Sequence, residues 1–108
     1  MTVKRISVGD FSTAPFGRYA DDGTANGERF RKEVLLPAFM DKQITKIVVE
    51  LDTVEDGYEY GSSFLEESFG GLVKKEGLSP EYVIERLEIV TIYNDYKSEI
   101  IDYIRNPH

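Results

Sequence analysis

The chain has 108 residues, of which 20 are acidic and 13 basic, and a formal net charge of −7. Its 41% hydrophobic content, with seven Tyr and six Phe, is enough for one ordinary core, so a single domain over residues 1–108 is expected. The acidic balance argues against duplex nucleic acid, whose phosphates call for Lys and Arg, and the absence of cysteine excludes disulfides, thiolate ligands and thiolate nucleophiles.

In chain order, "VKRISVGDF" alternates imperfectly and predicts a first strand over residues 3–8. The opening "MTVKRISVGD" has no apolar stretch of the kind a secretory signal carries, so the expected location is the cytoplasm. "STAPFGRYADDGTANG" is rich in turn residues. Its middle, "PFGRYA", reads as a short second strand at a sheet edge, where the missing N–H of Pro15 is tolerated. Asn26 is a good N-cap, and Phe30, Val34, Leu35, Ala38 and Phe39 then recur at helical spacing. Pro37 should kink or end this helix. The apolar run "VLLPAFM" within it is too short to span a bilayer.

"ITKIVVEL", residues 44–51, is β-branched and nearly continuous, which predicts a strand covered on both faces. "YGSSFLEESFGGLVKKEG" predicts a second helix. Ser63 and Glu66 have capping-box spacing, Phe64, Leu65, Phe69, Leu72 and Val73 form an apolar stripe, and Gly77 suits a left-handed stop. Gly70 and Gly71 inside a helix each cost about 0.5–1 kcal/mol relative to Ala, a cost that close approach to a sheet would offset. Ser79 and Pro80 open a short helix, "LEIVTIY" is a third buried strand, and Asn94 caps a last helix lined by Tyr96, Ile100, Ile101 and Ile104. Alternation of this kind predicts an α/β fold with a mixed, mainly parallel sheet and helices packed on it.

Ligands and partners of such sheets meet the loops at the carboxyl ends of the strands. Two loops should lie there side by side, residues 17–28 and 52–63, bringing Arg18, Asp21, Asp22 and Glu28 towards Ser62 and Ser63. There is no phosphate-binding GKS/T loop, nucleophile elbow or dinucleotide fingerprint. The lone histidine is the last residue, His108, so a serine–histidine site lacks an internal base. No acidic run has calcium-loop spacing. A non-enzyme without cofactor or metal is expected. Ser62 and Ser63 are at once natural helix caps and a place where a phosphate would meet free N–H groups beside Asp52, Glu55, Asp56 and Glu59.

Two blocks carry a resemblance. The first is Gly17, Arg18, Tyr19, Asp22, Gly23, Gly27, Glu28, Phe30 and Arg31, and the second runs from Tyr60 through Leu72. The chain resembles STAS-like domains of unknown function, related to the STAS domains of bacterial anti-sigma factor antagonists. The resemblance implies a sheet with helices on one side and a cytoplasmic signalling role. It also implies a protein partner of the histidine-kinase-like ATPase type and a phosphorylated serine at the start of the second helix. In the antagonist motif, Gly61 takes the place of an Asp, Ser62 that of the phosphorylated serine, and Phe64 that of a Gly. Ser62 and Ser63 are therefore the candidate phosphorylation sites. Arg18, Tyr19, Asp22, Glu28, Arg31, Tyr60, Gly61 and Glu66 are the candidates for binding a partner or ligand. A regulatory interaction module, a small-molecule or nucleotide sensor and a structural subunit of a larger complex are the readings carried forward, with an unrecognised hydrolase behind them.

Overall fold

The computed structural model describes residues 2–107, so His108 lies outside the described residues. Strands β1 (Thr2–Ser7), β2 (Ile44–Glu50) and β3 (Leu87–Val90) form one parallel sheet in that order. Helix α1 is a single turn, Val8–Phe11. Helix α2 covers residues 27–40 and contains a π turn, Arg31–Leu35, between α-helical Gly27–Phe30 and Leu36–Met40. Helix α3 covers residues 62–74 and repeats the device, with a π turn at Glu66–Gly70 between Ser62–Leu65 and Gly71–Lys74. Helix α4 is Pro80–Arg86 and α5 is Asn94–Arg105. Among the described residues, no helix is long and apolar enough to cross a membrane. The expected α/β class stands.

The register explains which face of the sheet holds the helices. Ile6 pairs with Val49 and Val49 with Ile89, while Ile47 pairs with Leu87. These five buried residues share one face and meet Phe30, Leu35 and Phe39 of α2, Phe64, Phe69 and Leu72 of α3, and Ile100 and Ile104 of α5. Burying each large apolar side chain contributes about 1.5–3 kcal/mol, and this holds the helical layer on the sheet.

The opposite face corrects the expectation that β2 is covered on both sides. It carries Arg5, Lys46, Glu50 and Glu88, joined across strands by Arg5–Glu50 at 3.1 Å and Lys46–Glu88 at 3.4 Å. Val48 is only 4% exposed although no helix lies over it, being flanked in register by Arg5 and Glu88. Charged side chains with long apolar stems can shield one valine without a second helical layer.

Four further expectations are corrected. "PFGRYA" forms no strand. The Phe16, Gly27 and Glu28 N–H groups donate to Ala25, Gly17 and Arg18 O, so the segment folds on itself instead of joining the sheet. Gly70 and Gly71 do not approach the sheet. A Cβ at Gly70 would meet the Tyr103 backbone of α5, and one at Gly71 would meet the Arg31 guanidinium. Of the two outcomes expected of Pro37, the ending of α2 is the one corrected: the helix continues to Met40, with a π turn just before the proline. Asn94 is the first helical residue of α5, not its cap, which is Tyr93 and makes no side-chain cap bond.

Candidate functional site

The two serines start α3, but neither caps it. Gly61 occupies the cap position, with no side-chain cap bond, and Ser62 and Ser63 are already helical. The expected capping box is absent because Glu66 turns elsewhere, to Arg18, 2.6 Å from its Nη2. Ser62 is exposed and Ser63 half-buried. By contrast Asn26 caps α2 as expected, its Oδ1 accepting from the Arg29 N–H at 2.9 Å.

The loop of residues 17–26 is held by its own residues and then clipped to α3. Gly17 has φ 82°, a conformation that glycine adopts without strain. A Cβ there would also run into the Asp22 carboxylate. That carboxylate accepts from the N–H groups of Arg18 at 2.9 Å and Tyr19 at 3.4 Å. Asp22 thus braces the loop. Arg18 reaches Glu66, with Glu67 at 3.8 Å, and does not meet Ser62 or Ser63. Tyr19 accepts a hydrogen bond from Lys75, whose ammonium lies 4.6 Å from the tyrosine ring centroid. Glu28 faces Lys32 of its own helix at 3.8 Å.

Arg31 is 1% exposed and donates three hydrogen bonds to Glu67 and Glu76. Its Nη1 donates to the Glu67 carbonyl at 2.6 Å and to Glu67 Oε2 at 2.8 Å, and its Nε donates to Glu76 Oε2 at 2.9 Å. Glu67 also takes Lys75 at 3.1 Å. Burial opposes ionisation of Glu67, but the hydrogen bonds from Arg31 and Lys75 outweigh it and hold the carboxyl below its usual range. The Tyr19 hydroxyl and Glu67 push Lys75 above its usual range. Arg31 therefore ties α2 to α3 from inside and offers no surface to a ligand.

Beside this network lies a cleft of about 330 Å³. Arg18 and Tyr19 form one wall, Glu66, Glu67, Gly70, Gly71, Lys74 and Lys75 of α3 another, and Tyr103 and Pro107 the third. The cleft includes Arg18 but not Ser62. Tyr103 donates to Glu99 at 2.7 Å, and burial first and then that bond push its hydroxyl up to about 12.

A second region sits at the carboxyl ends of β2 and β3. Four tyrosines interlock there, with Tyr60 edge-on to Tyr58 and Tyr96 at centroid distances of 5.3 Å and Tyr93 against Tyr96 at 5.7 Å. The Tyr60 hydroxyl donates to Leu51 O at 2.6 Å, and its N–H donates to the Tyr96 hydroxyl at 3.0 Å. Burial, then Tyr58, Asp52 and Tyr96, raise the Tyr60 phenol far above its usual range, so it is a fixed neutral brace. Asp52 holds the neighbouring turn by accepting from the Thr91 hydroxyl at 2.7 Å and the Ile92 N–H at 2.8 Å. The result is a shallow hollow of about 220 Å³ in which Ile92 is 79% and Tyr93 56% exposed. Asp52, Glu55 and Asp56 also line it, and no Lys or Arg does.

Sequence reasoning missed Glu67, Lys75, Glu76, Ile92 and Tyr96. The spacing of Glu67, Gly71 and Lys75 at i, i+4 and i+8 was the available signal for the network. The exposure of Ile92 had none, because "LEIVTIY" reads as continuous buried strand whereas β3 ends at Val90.

A family described as a STAS-like domain of unknown function (DUF4325) matches residues 26–97, well over half of the chain. The chain belongs to that family, in agreement with the resemblance read from its two blocks. The match begins at Asn26, so Arg18, Tyr19 and Asp22 lie outside it, as do Tyr103 and Pro107 of the cleft. No curated protein and no solved structure matches the chain.

Proposed function

We propose that this STAS-like domain is a non-catalytic regulatory module that docks a protein partner at the carboxyl edge of its sheet. The observation that carries the reading is the exposure of Ile92 at 79% and Tyr93 at 56%, beside Asp52, Glu55 and Asp56 and with no cation in the hollow. Exposed aliphatic and aromatic side chains rimmed by charge of one sign fit a partner with an apolar centre and a basic rim. Related anti-sigma factor antagonists bind a histidine-kinase-like ATPase, and that class of partner is the one proposed here. Ser62 stands exposed two residues beyond Tyr60, where a phosphate would add about −1.5 to −2 charges to an edge that is already acidic. Phosphorylation of Ser62, with Ser63 as the less accessible choice, would therefore release a basic partner.

The test starts with the tagged domain in its source cells. The protein it captures is identified by mass spectrometry, purified and titrated calorimetrically. Ile92→Asp and Tyr93→Ala should each weaken binding about tenfold or more, as for central interface anchors. Ser62→Glu should weaken it too, and Lys42→Ala, on an exposed turn remote in sequence from both loops, should not. Equal affinity across Ile92→Asp, Tyr93→Ala and Lys42→Ala would remove this edge from consideration.

A further inference from the structure

We propose that the cleft between the Arg18–Tyr19 wall, α3 and α5 binds a small oxyanion, a phosphate or carboxylate group on a metabolite-sized molecule. It is a second site, separate from the docking edge. Its volume of about 330 Å³ falls at the small end of the range for ligand pockets.

The first observation is the charge balance. Arg18, Lys74 and Lys75 line the cleft, with Arg31 directly behind Gly71. Arg18, Arg31 and Lys75 share three carboxylates, Glu66, Glu67 and Glu76, and a fourth carboxylate, Glu99, accepts from Tyr103 on the opposite wall. Lys74 is exposed, and among the described residues no carboxylate pairs with it. Lys74 is thus a cation without an ion pair among the described residues, in a chain of net charge −7.

The second observation is the state of Arg18. A guanidinium is a planar fork that suits two-point recognition of a carboxylate or phosphate. Here it has one close contact, Nη2 to Glu66 at 2.6 Å, while Nη1 stands 3.8 Å from Glu67, beyond hydrogen-bond reach. The Glu66 carboxylate occupies the place that a ligand oxyanion would take, and it belongs to a half-exposed side chain that can swing away.

The third observation is the π turn. In a regular α-helix, side chains four apart drift by about 40° around the axis. A π turn winds less per residue and reverses that drift locally. Glu66–Gly70 is such a turn and Gly71–Lys74 returns to α-helix. Two nearly straight rows follow, Glu66–Gly70–Lys74 and Glu67–Gly71–Lys75, and all six residues line the cleft. Each row has an acid at one end, a lysine at the other and a glycine between them. The space over the glycines is taken by Tyr103 at Gly70 and by the Arg31 guanidinium at Gly71, so an anion between Lys74, Lys75 and Arg18 would lie beside a fourth cation.

The experiment is an amide NMR titration of the full chain with inorganic phosphate and with citrate, each against sodium chloride at matched ionic strength. Saturable shifts at the Gly70, Gly71, Lys74 and Lys75 amides are expected, with phosphate or with both anions according to the oxyanion preferred. Lys74→Gln should weaken binding about tenfold, the loss of one charged hydrogen bond. Glu66→Gln, which frees Arg18, should tighten it about threefold. Ile92→Asp should leave the titration unchanged, so failure at the docking edge and failure here are separate results. Shifts no larger than those with chloride, or a saturable response that survives Lys74→Gln at full strength, would overturn the proposal.

Discussion

The inner flank of α3 and the edge at its N-terminus are built from the same residue classes, carboxylates, tyrosines and glycines, but they are arranged differently. On the flank, each acid has a cation. Glu67 receives Arg31 and Lys75, Glu76 receives Arg31, and Glu66 receives Arg18. At the edge, Asp52, Glu55 and Asp56 stand with tyrosines and Ile92 and have no cation in the hollow. Desolvation is the physical difference. Arg31 is fully buried, and a buried charge is tolerable only when paired and hydrogen-bonded. The carboxylates of the edge are exposed, so water solvates them and they need no partner of their own. The buried part of the flank, Arg31 with Glu67 and Glu76, is thus committed to holding α2 on α3, whereas the acids of the edge have no ion-pair partner in its hollow.

The sharpest way to break this contrast is to remove the buried cation. Arg31→Met leaves buried Glu67 with Lys75 as its remaining close cation and should cost about 3 kcal/mol in urea unfolding, whereas Ile92→Asp at the edge should stay within about 0.5 kcal/mol. A loss below about 1 kcal/mol for Arg31→Met would mean that the flank is no clamp. Glycines give the next test. A Cβ at Gly71 would strike a guanidinium pinned by Glu67 and Glu76, so Gly71→Ala should cost about 1–3 kcal/mol. A Cβ at Gly61 meets nothing within 4 Å, and Gly61→Ala should change stability by no more than about 0.5 kcal/mol.

Acid sharpens the comparison further. Glu67 titrates near 4.5 when unfolded and lower when folded. Its contribution is therefore complete above about pH 4.5 and is lost as pH falls through the lower folded value. Thermal unfolding followed from pH 6 to pH 3 should show that loss in the parent chain and in Tyr93→Ala alike. It should be diminished in Arg31→Met, where the main bond lowering Glu67 is gone. The smallest effect concerns the caps. Asn26→Ala removes a real side-chain cap and should cost about 1 kcal/mol. Ser63→Ala removes none and should stay within about 0.5 kcal/mol. Equal losses at the two positions would reinstate Ser63 as a cap.

Much of the frame was legible because it rests on local pattern. The β-branched run of β2, the apolar stripes of α2 and α3, the Asn26 and Ser79 caps and the left-handed Gly77 all follow from short-range propensity. Several failures came where a partner distant in sequence competed for a residue. Glu66 fits a capping box with Ser63 by spacing alone, and loses it to Arg18, far earlier in the chain. The two helical glycines announced a close approach, but what approaches them is Arg31 and Tyr103.

By itself, then, the sequence determined the α/β class, the STAS-like family and the approximate place of each strand and helix. Hydrophobic period and turn chemistry act over a few residues and leave their mark in order. Tertiary structure alone decided that Arg31 is internal, that Arg18 serves the flank and not the serines, that one sheet face lies open and that Ile92 faces solvent. Those outcomes depend on which long-range contact desolvates which charge, and a linear chain does not record the distances that settle such a competition.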